Sequence, residues 1–182
     1  MNFTGKILIA PPSMKGNFWT KSVIFITENH ERGSLGLVLN KRSKMPITEF
    51  SKQVGIDNPM TGFVHIGGPV NVKAFTLIHS SEWACSNTMC INNDFSISSS
   101  QDLLEKLAAG DRPQHYRMIL GLCAWAPDQL ENEVKGCAPY SHKTSWLIAT
   151  PSPHFVFNLD NSEQWTQGIE QSGLEFVSSL LA

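Results

Sequence analysis

The run Met118–Ala124, MILGLCA, constrains this chain more than any other stretch. It is almost wholly apolar and has no alternation, the pattern of a strand buried on both faces. It ends in Trp125, and Pro127 and Asp128 follow at once. Pro127 suits the first position of a helix, where its missing N–H leaves nothing unpaired, and Asp128 would sit in the first turn, favoured by the helix dipole. The spacing therefore predicts a buried strand turning directly into a helix over 127–135.

Other strands are predicted around it. Lys6–Ala10 is a β-branched run stopped by two prolines, and Ser22–Glu28 is a second run rich in Val, Ile and Phe. The polar turn Asn29–Gly33 then leads into Leu35–Leu39, which completes a hairpin. Phe63–Ile66, Val72–His79 and Trp146–Ala149 read as strands, with shorter ones at Thr88–Ile91 and Phe155–Phe157.

Three further helices are expected. Ile47, Phe50 and Val54 mark a short one closed by Gly55. Ser99 and Asp102 resemble a capping box before Leu103, Leu104 and Leu107, and Gly110 ends that helix. Ser162 would cap a last amphipathic segment through Trp165 and Ile169. The expectation is one α+β domain over residues 1–182, with a mixed sheet and about four helices. At 182 residues the chain buries enough surface to need no metal or disulfide.

Charge argues against one class of function. With 14 basic and 16 acidic residues the net charge is -2, and Lys41-Arg42-x-Lys44 is the densest basic cluster. A dedicated nucleic-acid binder carries a basic stripe and a high pI, so the expected partner is a protein. The N-terminal apolar run is too short for a signal segment, and no run reaches the roughly 18 residues of a membrane span. A cytoplasmic location is expected, with Cys85, Cys90, Cys123 and Cys137 reduced.

Signatures for phosphate loops, nucleophile elbows and zinc helices are absent, so neither a cofactor nor a metal is expected. The histidines are scattered; His65 and His79 fall on neighbouring predicted strands and could meet. On the helix after Pro127, Gln129 and Glu133 are i, i+4 neighbours, as are Leu130 and Val134. Glu131 and Glu133 point to different faces, which argues against a paired-carboxylate site. Trp125 stands at the corner, where packing is the commoner role.

Taken together, the segments ILIAPPSM with Phe18, GLVLNK at 36–41, GGPV at 67–70, FTLIHS, SSSQDLLEKLAAG and LGLCAWAPDQLENE resemble the AlgH/YqgE family of bacterial proteins. The resemblance runs from about Gly5 to Gly173. It implies a compact, partly barrel-like mixed sheet, no assigned enzymatic activity, and the label of a transcriptional regulator. The chain shows no helix-turn-helix pattern, so regulation through a protein partner fits it better than direct DNA contact. Two departures stand out: Asp128 replaces a glycine of the family pattern, and the loop at 136–143 is longer.

The positions that match the family's motifs are the candidate binding residues: Asn40, Gly67, Gly68, Pro69, His79, Trp125, Gln129, Glu131 and Glu133. Three uses are open to them. The chain is a regulatory protein without catalysis, a small-molecule or nucleotide binder built from the 67–70 turn, Asn40 and the 125–133 corner, or an enzyme with Glu131 or Glu133 as general base and His79 nearby. The binding use requires Asn40, Gly68, Gln129 and Glu131 to line one pocket.

Overall fold

A computed structural model describes residues 1–55, 60–140 and 145–181. Its elements in chain order are β1 (Ile7–Ile9), β2 (Val23–His30), β3 (Gly33–Val38), β4 (Arg42–Pro46), α1 (Ile47–Gln53), β5 (Phe63–Ile66) and β6 (Val70–Ser80). There follow β7 (Met89–Cys90), β8 (Phe95–Ser98), α2 (Gln101–Ala108), β9 (Tyr116–Trp125), α3 (Gln129–Lys135), β10 (Leu147–Ala149), a π-helical turn (His154–Asn158) and α4 (Asn161–Leu181).

The strands form one curled, half-barrel sheet in the order β10-β1-β2-β3-β9-β6-β8-β7, with β5 joining β4 to β9. All pairs are antiparallel except β5 with β9, where His65 faces Ile119. The sheet is therefore mixed, and the fold is α+β, with four α-helices among the described residues.

The apolar run that dominates the sequence is the centre of this sheet. Strand β9 sends side chains into all three buried clusters. Ile119 joins Ile7, Ile9, Val23 and Phe25. Cys123 and Trp125 join Leu8, Ile24, Ile26 and Leu130. Met118 joins Ile47, Phe50, Leu77, Leu103 and Leu107. Helix α4 covers the first cluster through Trp165 and Ile169, α3 the second, and α1 with α2 the third. Each large aliphatic side chain buried this way stabilises the fold by about 1.5–3 kcal/mol.

The Gly67-Gly68-Pro69 segment has a structural task. Strand β5 pairs with one edge of β9, whereas β6 pairs with the other, so the chain must cross over β9 between Ile66 and Val70. The crossing is backbone against backbone. A Cβ on Gly67 would lie 2.3 Å from the Gly121 carbonyl oxygen, one on Gly68 2.2 Å from that of Leu122, and one on Gly121 2.5 Å from that of Gly68. Hydrogen bonds fasten the crossing: Gly67 N–H donates to Leu120 O at 2.7 Å, and Gly67 O accepts from Val38 N–H at 2.9 Å.

Several local expectations are corrected. Residues 155–157 are not a strand but part of the π-helical turn, with Phe155 and Val156 buried in the first cluster. Helix α2 is capped by Ser100, whose Oγ accepts Leu103 N–H at 3.1 Å. The reciprocal half of a capping box is missing, because Asp102 instead accepts from Ser86 N–H at 2.7 Å. Pro127 is not helical; α3 starts at Gln129 after Asp128 adopts φ 61°. Asp160, not Ser162, stands before α4 and accepts Ser162 N–H at 2.8 Å. Val54 is exposed at the end of α1 rather than buried. His65 and His79 lie on strands at opposite edges of β9 and do not pair.

Candidate functional site

The corner where β9 gives way to α3 carries a connected arrangement of aromatic and polar side chains. Beyond Trp125 the chain turns through Ala126, Pro127 and Asp128. Gln129 holds the turn closed: its Oε1 accepts Ala126 N–H at 2.9 Å, and its own N–H donates to Ala126 O at 3.1 Å. One helical turn later stands Glu133. Gln129 Nε2 donates to Glu133 Oε1 at 2.8 Å, the i, i+4 contact expected from their spacing.

The second oxygen of Glu133 accepts two indole N–H groups. Trp125 Nε1 donates to Oε2 at 3.1 Å, and Trp146 Nε1, from the segment entering β10, donates to it at 2.8 Å. Trp146 meets Trp19 edge-on with ring centroids 6.0 Å apart, and Phe18 in turn meets Trp19 at 4.9 Å. These groups line a cleft of about 240 Å³, whose walls include Trp19, Trp125, Tyr140 and Trp146, with Gln129, Glu133, Asn17 and Met14. Among the described lining residues Glu133 is the only carboxylate and no cationic side chain appears.

Cys123 lines the same cleft but is 1% exposed, and burial pushes its thiol up to about 12. Its Sγ lies 3.2 Å from Gly67 O. It is a small packing group, as its place in the apolar run predicts. Among the described residues no cluster of three His, Cys, Asp or Glu could hold a metal ion.

Of the nine candidate residues, the structure brings together three: Trp125, Gln129 and Glu133. Glu131 points away, binds Lys135 Nζ at 2.9 Å and lines a separate hollow with Asp128. Asn40 closes a turn, accepting Val23 N–H at 2.9 Å and donating to Lys21 O at 2.8 Å. Gly67, Gly68 and Pro69 form the crossing over β9. His79 is fully buried, with Nε2 2.9 Å from Ser98 Oγ and its ring edge-on to Trp83. Asn40, Gly68, Gln129 and Glu131 therefore do not share one pocket.

Trp19, Tyr140 and Trp146 were not among the candidates. Trp146 had a signal only as the first residue of the predicted strand Trp146–Ala149. Trp19 and Tyr140 had none, because only folding brings 19, 140 and 146 to the same corner. In the longer loop, residues 141–144 lie outside those described.

Fold and site define a class: a single α+β unit on a curled sheet, with an aromatic, carboxylate-bearing cleft at the mouth of its central strand. The chain belongs to the AlgH-like (DUF179) family, whose profile matches residues 7–177. The UPF0301 protein GOX1459 of Gluconobacter oxydans is 32% identical over 174 residues, covering 93% of this chain and 90% of that protein. The UPF0301 protein Nmul_A2478 of Nitrosospira multiformis is 30% identical over 182 residues, covering 98% and 94%. Among solved structures, the solution structure of the AlgH protein from Pseudomonas aeruginosa is similar with a TM-score of 0.77 and 26% identity, over 98% of this chain and 94% of that one. Among the described residues, no helix is long and apolar enough to cross a membrane.

Proposed function

We propose that this protein is a binding protein rather than a catalyst, and that the cleft walled by Trp19, Trp125 and Trp146 receives a small organic cation. The observation that carries this reading is the Glu133 carboxylate, fixed among indole groups by three hydrogen bonds. Aromatic walls attract cations through their ring quadrupoles, each contact contributing about 0.5–2 kcal/mol. A carboxylate held among them adds charge, and its fixed position lowers the ordering cost of binding. A general base needs a free lone pair facing its substrate, whereas Glu133 Oε2 is already shared by two donors, and His79 lies elsewhere. Any regulatory output would pass through a protein partner, since the net charge of -2 disfavours direct contact with DNA.

Tryptophan fluorescence provides the test, with choline as the cation and its uncharged isostere 3,3-dimethylbutanol as the control. Saturable quenching by choline is expected, with binding at least about tenfold tighter than that of the alcohol. Glu133→Gln should weaken that preference severalfold, the aromatic walls keeping the remainder. Equal binding of the two compounds, or no saturable change, would overturn the reading.

A further inference from the structure

A second cleft, sharing no described lining residue with the first, holds a buried cation that the Asp160 carboxylate favours from nearby without forming an ion pair. Arg117 on β9 is only 6% exposed. Among the described residues it makes no ion pair. Its donors go to neutral acceptors instead. Nη1 reaches Leu39 O at 2.9 Å, Asn161 Oδ1 at 2.8 Å, Gln164 Oε1 at 3.4 Å and His65 Nε2 at 3.4 Å, and Nη2 reaches Leu159 O at 3.1 Å. Three buried nitrogens beside it have no hydrogen-bond partner: Arg117 Nε, His65 Nδ1 and Asn161 Nδ2. Buried charges are ordinarily paired, and buried donors ordinarily bonded, because desolvating them unpaired costs several kcal/mol.

The residues that own these atoms line an open cleft of about 290 Å³. Arg42, exposed and without an ion pair among the described residues, lies at the same cleft, and its guanidinium sits 4.6 Å from the centre of the Phe63 ring. Among the described lining residues Asp160 is the one carboxylate, and its Oδ1 already accepts Ser162 Oγ at 2.6 Å and Ser162 N–H at 2.8 Å. His65 is held neutral: burial first, then Arg117, lower it to about 4, against smaller opposing effects of Asn161 and the Met118 backbone. Two guanidinium groups against one carboxylate leave the cleft one positive charge in excess. A doubly charged phosphate would overfill that balance, whereas a single carboxylate meets it. Phe63 and Phe157 supply apolar wall beside the charged floor.

We propose that this cleft binds the carboxylate of a small monocarboxylic acid with an apolar tail, its oxygens taking the place of the missing partner of Arg117. The ligand's headgroup would meet donors of Arg117, Asn161 and His65, with Arg42 closing from the exposed side. Charge-assisted hydrogen bonds to an arginine fork are the strong ones, and planar carboxylates suit that fork.

Benzoate is the probe, followed by backbone amide shifts in 1H–15N spectra of the whole chain, with benzyl alcohol as the uncharged control and inorganic phosphate as the second anion. Saturable benzoate shifts are expected around residues 42, 65, 117 and 161, with benzyl alcohol at least about tenfold weaker. Arg42→Gln, at an exposed position, should keep the fold and weaken benzoate severalfold. Asn161→Asp should place an internal carboxylate beside Arg117 and abolish binding without lowering the melting temperature. Equal binding of benzoate and benzyl alcohol would overturn the proposal. So would shifts confined to other residues, phosphate binding tighter than benzoate, or no saturation. In that last case the orphan donors are met by water and Arg117 serves the fold alone.

Discussion

Trp146 donates its indole N–H to Glu133 Oε2 at 2.8 Å, joining the segment before β10 to α3 across thirteen residues. Since Trp125 donates to the same oxygen, one carboxylate pins the end of the central strand, the helix after it and an edge strand of the sheet.

Glu133 should therefore contribute to stability as well as to binding. In Glu133→Gln the acceptor becomes neutral, and an amide N–H₂ replaces one oxygen, so either both indoles or Gln129 lose their partner. Charged acceptors make stronger hydrogen bonds than neutral ones, and an orphaned donor adds its own penalty. Urea unfolding should show a loss of about 1–3 kcal/mol, and an unchanged midpoint would contradict the geometry.

Gly67→Ala tests the crossing over β9. Its new Cβ would lie 2.3 Å from the backbone oxygen of Gly121, which stands between the paired β9 residues Leu120 and Leu122. A loss of about 2–4 kcal/mol, or failure to fold, is expected by analogy with overpacked cores. Near-wild-type thermal stability would show that the motif serves something other than this close approach.

Asp128→Gly should do the opposite. Asp128 has φ 61° and makes no side-chain capping bond, and a left-handed conformation penalises a residue with a Cβ. Glycine relieves that, so calorimetry should show a gain of about 0.5–1 kcal/mol. A loss would mean that the carboxylate has a stabilising partner or field not accounted for by the turn.

His65 makes stability depend on pH. Its ordinary value is 6.5, and burial, then Arg117, lower it to about 4 in the fold. Between those values the unfolded chain binds the proton and the folded chain does not. Stability therefore falls as pH drops through that window, by roughly 2–3 kcal/mol from this residue. The difference between wild type and His65→Gln, measured by urea unfolding from pH 7 to pH 4, isolates the effect from the carboxylates. Parallel curves would show that His65 takes up its proton in the fold as it does in the unfolded chain.

Much of this architecture was readable from local pattern. The unbroken run at 118–124 foretold the central strand, but not its burial: Met118 and Ile119 are both buried, whereas from Leu120 burial alternates and Ala124 is exposed. The Gln129–Glu133 and Leu130–Val134 pairs followed from helical spacing, and the divergence of Glu131 from Glu133 from the same geometry. Where local signals competed, the reading slipped. Ser99 and Ser100 offer equivalent caps, and only the fold, by engaging Asp102 with Ser86, chooses between them. Phe155–Phe157 has the composition of a strand, but the core draws Phe155 and Val156 inward through a π-helical turn.

By itself, then, the sequence determined the class of fold, the central strand and the helix that carries Gln129 and Glu133, because those depend on residues a few positions apart. The tertiary structure decided which of them act together. It turned the Gly67-Gly68-Pro69 motif from a suspected ligand loop into a backbone crossing, set Asn40 and His79 to packing tasks, and brought Trp19, Tyr140 and Trp146 to Glu133. It also buried Arg117 among neutral partners. Those outcomes rest on contacts between distant segments, and such contacts leave no periodic trace along the chain.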